Sequence, residues 1–350
     1  MKALVAVVVF LVGVQHVSYC YPNLDYIGNR THLLRFFNSV PGVSDTYGAE
    51  HTVESLTGKL PLEWQNVTAR RSNLLEIARK LNLTKLVEAI IKVGLAGLLN
   101  HEGPFTLFGP TNEAFEKIPD YCRNVPLKDV IKYHIALGLH KKNEFKNNLL
   151  LTSFLQQRQL RINVYPQTNS LTAAGRNITD TDNIASNGVV HVLSDVICTL
   201  FKGSAAFELS RCEAYSILND LIKRADLYNA LDGDGPFTVF APVDKAFAKL
   251  SPEVIDHLKS NVTALKEVLL YHVVPDVWYS AGLVNGQVKT MQGQNLTISI
   301  DDGGVHVNDA TVILADAAVR NGVVHSIDTV LIPKLMRFNR AFRVTIVTRA

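Results

Sequence analysis

The chain has 350 residues, a formal net charge of +3, and 47% hydrophobic against 19% charged residues. That apolar share excludes a disordered polymer, the near balance of charge gives no field suited to nucleic acid, and four cysteines are too few for a disulfide-built miniprotein. The length accommodates two domains of ordinary size.

In chain order, Lys2 precedes an apolar run from Ala3 to Val14, and Ser18-Tyr19-Cys20 follows it. A basic start, a short apolar core and small residues near its end predict a secretory signal over 1–20. The run is well short of the roughly 20 residues that span a bilayer, and no longer one follows. Residues 21–70 read as an N-terminal extension with turns at Pro41-Gly42-Val43-Ser44-Asp45 and Thr57-Gly58.

A first domain is expected over 71–201. Leu74, Leu75, Ala78, Leu81, Leu86, Ile90 and Ile91 recur at helical spacing. The stripe runs into Gly103-Pro104, after which Phe105-Thr-Leu-Phe108 predicts a short buried strand and Asn112–Lys117 a short helix opened by Asn112. An apolar helix then ends at Tyr133-His134, and Asn187-Gly-Val-Val-His191 leads to a final strand over Val192–Ile197. The second domain, 208–333, repeats this plan. Ala214, Ile217, Leu218, Leu221, Ala225, Tyr228 and Leu231 form the stripe, followed by Gly235-Pro-Phe-Thr, a short helix at Asp244–Leu250 and Tyr271-His272. Leu296, Ile298 and Ile300 alternate with polar residues, Asp301-Asp302-Gly303-Gly304 turns the chain, and Val305 and Val307 resume the alternation, which predicts a β-hairpin. Asn321-Gly-Val-Val-His325 precedes a last strand over Ile327–Ile332.

The two halves are copies. Gly-Pro-Phe-Thr-x-Phe-x-Pro-x-x-x-Ala-Phe-x-Lys stands at 103–117 and 235–249, an offset of 132; Asn-Gly-Val-Val-His at 187 and 321 gives 134, and Tyr-His at 133 and 271 gives 138. Units of this length are whole domains rather than solenoid repeats. With helices first and strands last in each copy, the fold class is α+β. The three segments, clearest in Gly235–Phe247, Leu269–Val274 and Asn321–Leu331, resemble the signature segments of the fasciclin domain. That resemblance implies two tandem domains, each a β-wedge of two small sheets packed with helices. It also implies adhesion or matrix association by protein binding.

Tyr133-His134 and Tyr271-His272 end apolar helices, where histidine caps carbonyls and tyrosine covers the core edge. The resemblance adds a second reading. In fasciclin-domain matrix proteins, segments around the Tyr-His pair and an Asp-Ile-type motif before Asn-Gly are implicated in integrin binding. Carried onto this chain, the Asp-Ile-type motif falls on Asp182-Asn183-Ile184 and Asp316-Ala317-Ala318. The aspartates match, but Asn183 and Ala317 stand where isoleucine is expected, and no Arg-Gly-Asp occurs. His191 and His325 are expected to hold backbone groups through their ring nitrogens.

No catalytic pattern emerges. His101-Glu102 lacks the second histidine of a zinc protease, and Asp232-Gly-Asp-Gly lacks the glutamate that completes a calcium loop. No metal, cofactor or enzyme activity is expected. The last 17 residues, 334–350, hold Lys334, Arg337, Arg340, Arg343 and Arg349 without an acid, and Leu335, Phe338, Phe342 and Ile346 recur at helical spacing. Such a tail reads either as a basic amphipathic helix suited to sulfated polysaccharide or as a solvated end folded back on the second domain.

Six sequons, at Asn29, Asn66, Asn82, Asn177, Asn261 and Asn295, accord with passage through the secretory route. Beyond Cys20, Cys122, Cys198 and Cys212 remain. A Cys198–Cys212 bridge would span the join between the domains, leaving Cys122 free or paired with another chain; alternatively all three are unpaired. The expected protein is secreted and N-glycosylated, with cell-surface receptors such as integrins, matrix proteins, sulfated polysaccharides or a second copy as partners, and no nucleic acid. A carrier of a small apolar ligand such as a lipid is the alternative.

Overall fold

A computed structural model describes residues 72–337 apart from 156–157 and 199–201. The expected signal segment, the extension over 21–70 and the tail beyond Arg337 lie outside the described residues.

Each half opens with three short helices: α1 (Leu74–Lys80), α2 (Thr84–Lys92) and α3 (Ala96–His101), then in the second half α6 (Ala205–Arg211), α7 (Ser216–Arg224) and α8 (Tyr228–Asp232). The single helix expected from Leu74 to Ile91 is therefore two. Asn82 adopts φ +58° and turns the chain between them, while Leu83 and Leu86 stay buried and Ile91 is 52% exposed. Helix α1 starts at a capping box, the Asn73 side chain accepting from the Glu76 amide and the Glu76 carboxylate from the Asn73 amide.

The first half continues through β1 (Phe105–Pro110), α4 (Asn112–Glu116), α5 (Leu127–Tyr133), β2 (Ile135–Leu137), β3 (Leu149–Thr152), β4 (Gln159–Tyr165), β5 (Ser170–Ala173), β6 (Arg176–Ala185) and β7 (Gly188–Leu193). The second runs through β8 (Phe237–Pro242), α9 (Asp244–Phe247), α10 (Pro252–Ser260), α11 (Val262–Tyr271), β9 (Val273–Pro275), β10 (Gly286–Lys289), β11 (Asn295–Asp301), β12 (Gly304–Val307), β13 (Ala310–Val319) and β14 (Gly322–Ile327), and ends in a helical turn, α12 (Lys334–Arg337). Where α10 stands, the first half has a 3₁₀ turn at Asp120–Cys122. Insertions of this kind account for the uneven offsets between the copies.

Strand order is the same in both: β2-β1-β7-β6-β5-β4-β3 and β9-β8-β14-β13-β12-β11-β10. The pairs β1/β7 and β8/β14 are parallel and the others antiparallel. Strand β6 pairs with β5 through Arg176 and Asn177 and with β7 through Ile178–Ala185, with two register shifts, so one long bulged strand serves two half-sheets. The ends of the ladder approach one another: Ala136 bridges Ser153, and the Phe154 amide donates to the Ile135 carbonyl. The Met291 amide donates to the Val273 carbonyl at the equivalent place. The result is an α+β wedge rolled toward a barrel. The expected hairpin is present, with Ile298 opposite Val307 and Ile300 opposite Val305.

Asn-Gly-Val-Val-His does not lead into the last strand; its Gly-Val-Val-His is that strand. All six residues of β7, of β14 and of β1 are buried, as parallel strands covered on both faces require. Glycine is needed at its head because a Cβ at Gly188 would lie 2.0 Å from the Phe105 carbonyl oxygen, and one at Gly322 1.8 Å from that of Phe237. Asn112 and Asp244 also differ from expectation. Thr111 and Val243 occupy the cap positions of α4 and α9, while the Asn112 and Asp244 side chains accept the Lys85 and Ile217 amides in the first turns of α2 and α7.

The helices of each half cover one face of its sheet, packing around Leu74, Leu86, Ile90 and Leu107 in the first and Leu218, Leu221, Val239 and Leu265 in the second. A further cluster joins the two: Phe108, Leu160, Ile162 and Tyr165 pack with Val277, Tyr279, Ala318 and Val323. Tyr165 donates its hydroxyl to the Val277 carbonyl (3.0 Å), accepts the Tyr279 amide (3.0 Å) and stacks on Trp278.

The cysteines pair differently from the expected Cys198–Cys212 bridge. Cys198 bonds to Cys122 at a Cα separation of 5.5 Å, because the chain leaving β7 runs beside the turn after α4. Cys212 is disulfide-bonded as well.

Candidate functional site

The Tyr-His pairs sit where α5 and α11 meet the sheets, and their surroundings match closely. His134 donates from Nδ1 to the Val130 carbonyl (2.8 Å), one turn back in its own helix, and accepts the Ile197 amide at Nε2 (3.0 Å). His272 makes the same bonds with the Val268 carbonyl (2.7 Å) and the Leu331 amide (2.9 Å). Each ring thus ties a helix C-terminus to the segment after the last strand. Tyr133 donates to the Gln159 carbonyl, and Tyr271 donates to the Asn295 carbonyl while accepting from Asn308 Nδ2. All four side chains are buried, none more than 6% exposed. Burial, against the backbone hydrogen bond, pulls both histidines down to about 4, and it pushes Tyr133 up to about 12.

Asp182 and Asp316 lie at the bulges of β6 and β13 with φ of +62° and +64°. Their amides donate to Nδ1 of His191 and His325, which donate from Nε2 to the carbonyls of His140 and Trp278. Both histidines therefore hold backbone on each side, and burial lowers both pKa values. The aspartates anchor the loops after β2 and β9: Asp182 accepts the Lys142 amide, and Asp316 accepts the Ser280 amide and hydroxyl. Their exposure differs. Asp182 and Ile184 are exposed, Ile184 to 46%, whereas Asp316 is buried at 4% and Ala318 packs into the joint between the halves.

The asparagine of Asn-Gly-Val-Val-His has a function its repetition alone did not reveal. Asn187 Oδ1 accepts the Leu74 amide opening α1, and its Nδ2 donates to the Leu99 and Glu102 carbonyls closing α3. Asn321 does the same with Ala205, Leu231 and Gly233. One side chain thus fastens both ends of the three-helix layer to the sheet.

Of the sequons, Asn82, Asn177, Asn261 and Asn295 are exposed; Asn29 and Asn66 lie outside the described residues. Asn82 occupies the turn between α1 and α2 rather than a helix. In the tail, Lys334 and Arg337 belong to α12, and Arg340 and Arg343 lie outside the described residues.

Chemically, the arrangement is a set of structural ties. His134, His272, His191 and His325 have both ring nitrogens committed to backbone groups, and among the described residues no group of three or more His, Cys, Asp or Glu is placed to hold a metal. No helix among the described residues is long and apolar enough to cross a membrane. Fold and site define a duplicated α+β module whose repeated residues hold its shape.

The chain belongs to the fasciclin-domain family, whose model, "Fasciclin domain", matches residues 81–199 and 213–333. Human periostin is 30% identical over 246 residues, 66% of this chain and 29% of periostin, and pig transforming growth factor-beta-induced protein ig-h3 is 29% identical over 244 residues, 66% of this chain and 35% of that protein. This chain thus spans about a third of the length of these relatives. Protein sll1483 of Synechocystis is 44% identical over 125 residues, 35% of this chain and 69% of that protein. A solved FAS1 domain pair from the insect cell adhesion molecule fasciclin I aligns with 73% of this chain and 98% of that pair, at 18% identity and a TM-score of 0.37.

Proposed function

We propose that this is a secreted, N-glycosylated protein that mediates cell adhesion or matrix association by protein binding through its paired fasciclin domains, with no reaction of its own. The observation that carries the reading is the division of labour at the repeated motifs. Tyr133, His134, Tyr271, His272 and Asp316 are buried and tied to backbone, so they act as positioning groups; Asp182 and Ile184 stand exposed on β6, which is held by its ladder with β7 and by the Asp182 amide donating to His191. An exposed carboxylate beside an exposed aliphatic residue, on a rigid bulge, is the combination an integrin-type receptor or a matrix protein can recognise. The Cys122–Cys198 bond supports an oxidising compartment, and the exposed sequons support glycosylation. The basic tail from Lys334 would add affinity for sulfated polysaccharide.

Attachment of integrin-bearing cells to immobilised protein tests this. Wild type is expected to support divalent-cation-dependent attachment, and Asp182→Asn combined with Ile184→Ala to remove most of it without lowering the melting temperature. Absence of attachment to wild type would overturn the adhesion reading.

One observation favours a second reading, a carrier of a small apolar ligand. A cleft of about 360 Å³ beside the Cys122–Cys198 bond is lined by Phe115, Ile118, Val125, Leu127, Val130 and Val196. Organic extraction of purified protein would release a defined lipid-like molecule under this reading and none under adhesion alone.

A further inference from the structure

At the joint between the two domains lies a cavity of about 80 Å³ lined by four cations, Arg158 and Arg161 from the first domain, Lys202 from the connection and Arg320 from the second, with Tyr133 and Tyr279. Among the described residues no carboxylate lines it. Arg158 and Arg161 are only 6% and 7% exposed. Burying a guanidinium is costly unless its charge is answered, and arginine cannot shed its proton to escape. For Arg161 and Arg320 the partners inside the protein are neutral or solvent-exposed. Arg161 donates to the Arg320 carbonyl (3.0 Å) and, at 3.4 Å, to Asn148 Oδ1, both neutral acceptors. Arg320 donates to the Asp232 carbonyl and lies 3.7 Å from the solvent-exposed Asp234 carboxylate. Asp129 and Glu208 act on Arg158, and Asp276 on Arg161, from beyond the lining.

A second observation points into the same space. Tyr279 is wholly buried and its hydroxyl has no hydrogen-bond partner. A buried donor left unsatisfied costs roughly 1–3 kcal/mol, so its presence among four cations marks a place for an acceptor. The cavity holds only a few water-sized groups, which suits a compact ion and excludes a drug-sized molecule.

We propose that this cavity is a binding site for a tetrahedral oxyanion, sulfate or phosphate, taken either as the free ion or as the ester group of a glycan chain that reaches the joint. The guanidinium groups supply charge-assisted donors, Lys202 a solvent-exposed one, and the Tyr279 hydroxyl a buried donor. Because the groups come from both domains, the ion would also stiffen the angle between them.

Calorimetric titration of the intact protein with inorganic sulfate and phosphate, at ionic strength held constant with chloride, tests this. Sulfate also stabilises proteins by exclusion from their surface, so saturation and the response of variants are what count. One saturable site is expected, weakened about tenfold by Tyr279→Phe, since a hydrogen bond to an ion is lost, and abolished by Arg161→Gln. Tyr279→Phe removes one oxygen, and Lys202→Ala alters an exposed side chain, so both variants should fold even if Arg161→Gln does not. A sulfated heparin disaccharide binding more tightly than free sulfate, with its desulfated form silent, would identify the glycan as the source; equal or weaker binding would identify the free ion. Absence of saturable binding to all three probes, or equal affinity in wild type, Tyr279→Phe and Lys202→Ala, would overturn the site.

Discussion

His134 and His272 are neutral in the folded protein because both rings are buried and both ring nitrogens are committed to backbone groups. An unfolded histidine titrates near 6.5, so as pH falls the unfolded chain takes up protons first. The stability these neutral rings contribute is complete above about pH 6.5 and is lost as pH falls toward their folded value of about 4, by up to roughly 3 kcal/mol each. Urea midpoints measured from pH 7.5 to 5 should therefore fall, and less steeply in His272→Gln; a flat wild-type profile would contradict the burial argument. Asn321 gives a second prediction. It is 1% exposed and makes three hydrogen bonds to backbone, so Asn321→Ala leaves two buried groups and one part-buried group unpaired and should cost about 3 kcal/mol in chemical denaturation. The sequence displays both residues as repeated letters. What it does not display is their partners: those of Asn321 lie 116, 90 and 88 positions away, and only the parallel pairing of β8 with β14 brings them together.

Among the elements, β1, β8 and the hairpin β11–β12 were legible because alternation or a short apolar run bounded by turns has few other solutions. The helices were less so. Leu81 and Leu86 keep the apolar stripe in phase across the turn at Asn82, so periodicity alone joins α1 to α2. Position 109 illustrates a subtler difference between the copies: Gly109 stands where the second domain has the buried Ala241, because a Cβ there would lie 2.6 Å from Leu83 Cδ1. Asn112 and Asp244 stand at helix starts and read as caps of those helices, yet their side chains serve α2 and α7. Asp244→Ala should accordingly lower stability by about 1 kcal/mol. Amide exchange should speed up in the first turn of α7, at Ile217, rather than in α9; the reverse pattern would contradict this assignment.

At the level of the whole molecule, the duplication was legible and the joint was not, since Tyr165, Trp278 and Tyr279 belong to no shared motif. The cysteine pairing was equally hidden, because sequence distance favours Cys198 with Cys212 while the fold sets Cys198 beside Cys122. Tyr165 is 3% exposed and contacts the second domain through its ring and its hydroxyl. Tyr165→Ala should cost about 3–5 kcal/mol at the joint and divide one calorimetric transition into two, one per domain; a single transition lowered as a unit would show that the coupling lies elsewhere. The candidate site was partly legible too. Its residues were marked by repetition, but which of them face solvent depends on the bulge that exposes Ile184 and on the joint that buries Ala318.

The central claim, that the exposed Asp182–Ile184 edge and not the buried Tyr-His pairs forms the binding surface, is tested most directly by comparing cell attachment with melting temperature for wild type, His272→Gln and Ile184→Ala. The account predicts that Ile184→Ala melts like wild type and loses attachment, while His272→Gln melts lower and loses attachment only as far as it unfolds. A fully folded His272→Gln protein that fails to bind cells, beside an Ile184→Ala protein that binds them normally, would contradict it.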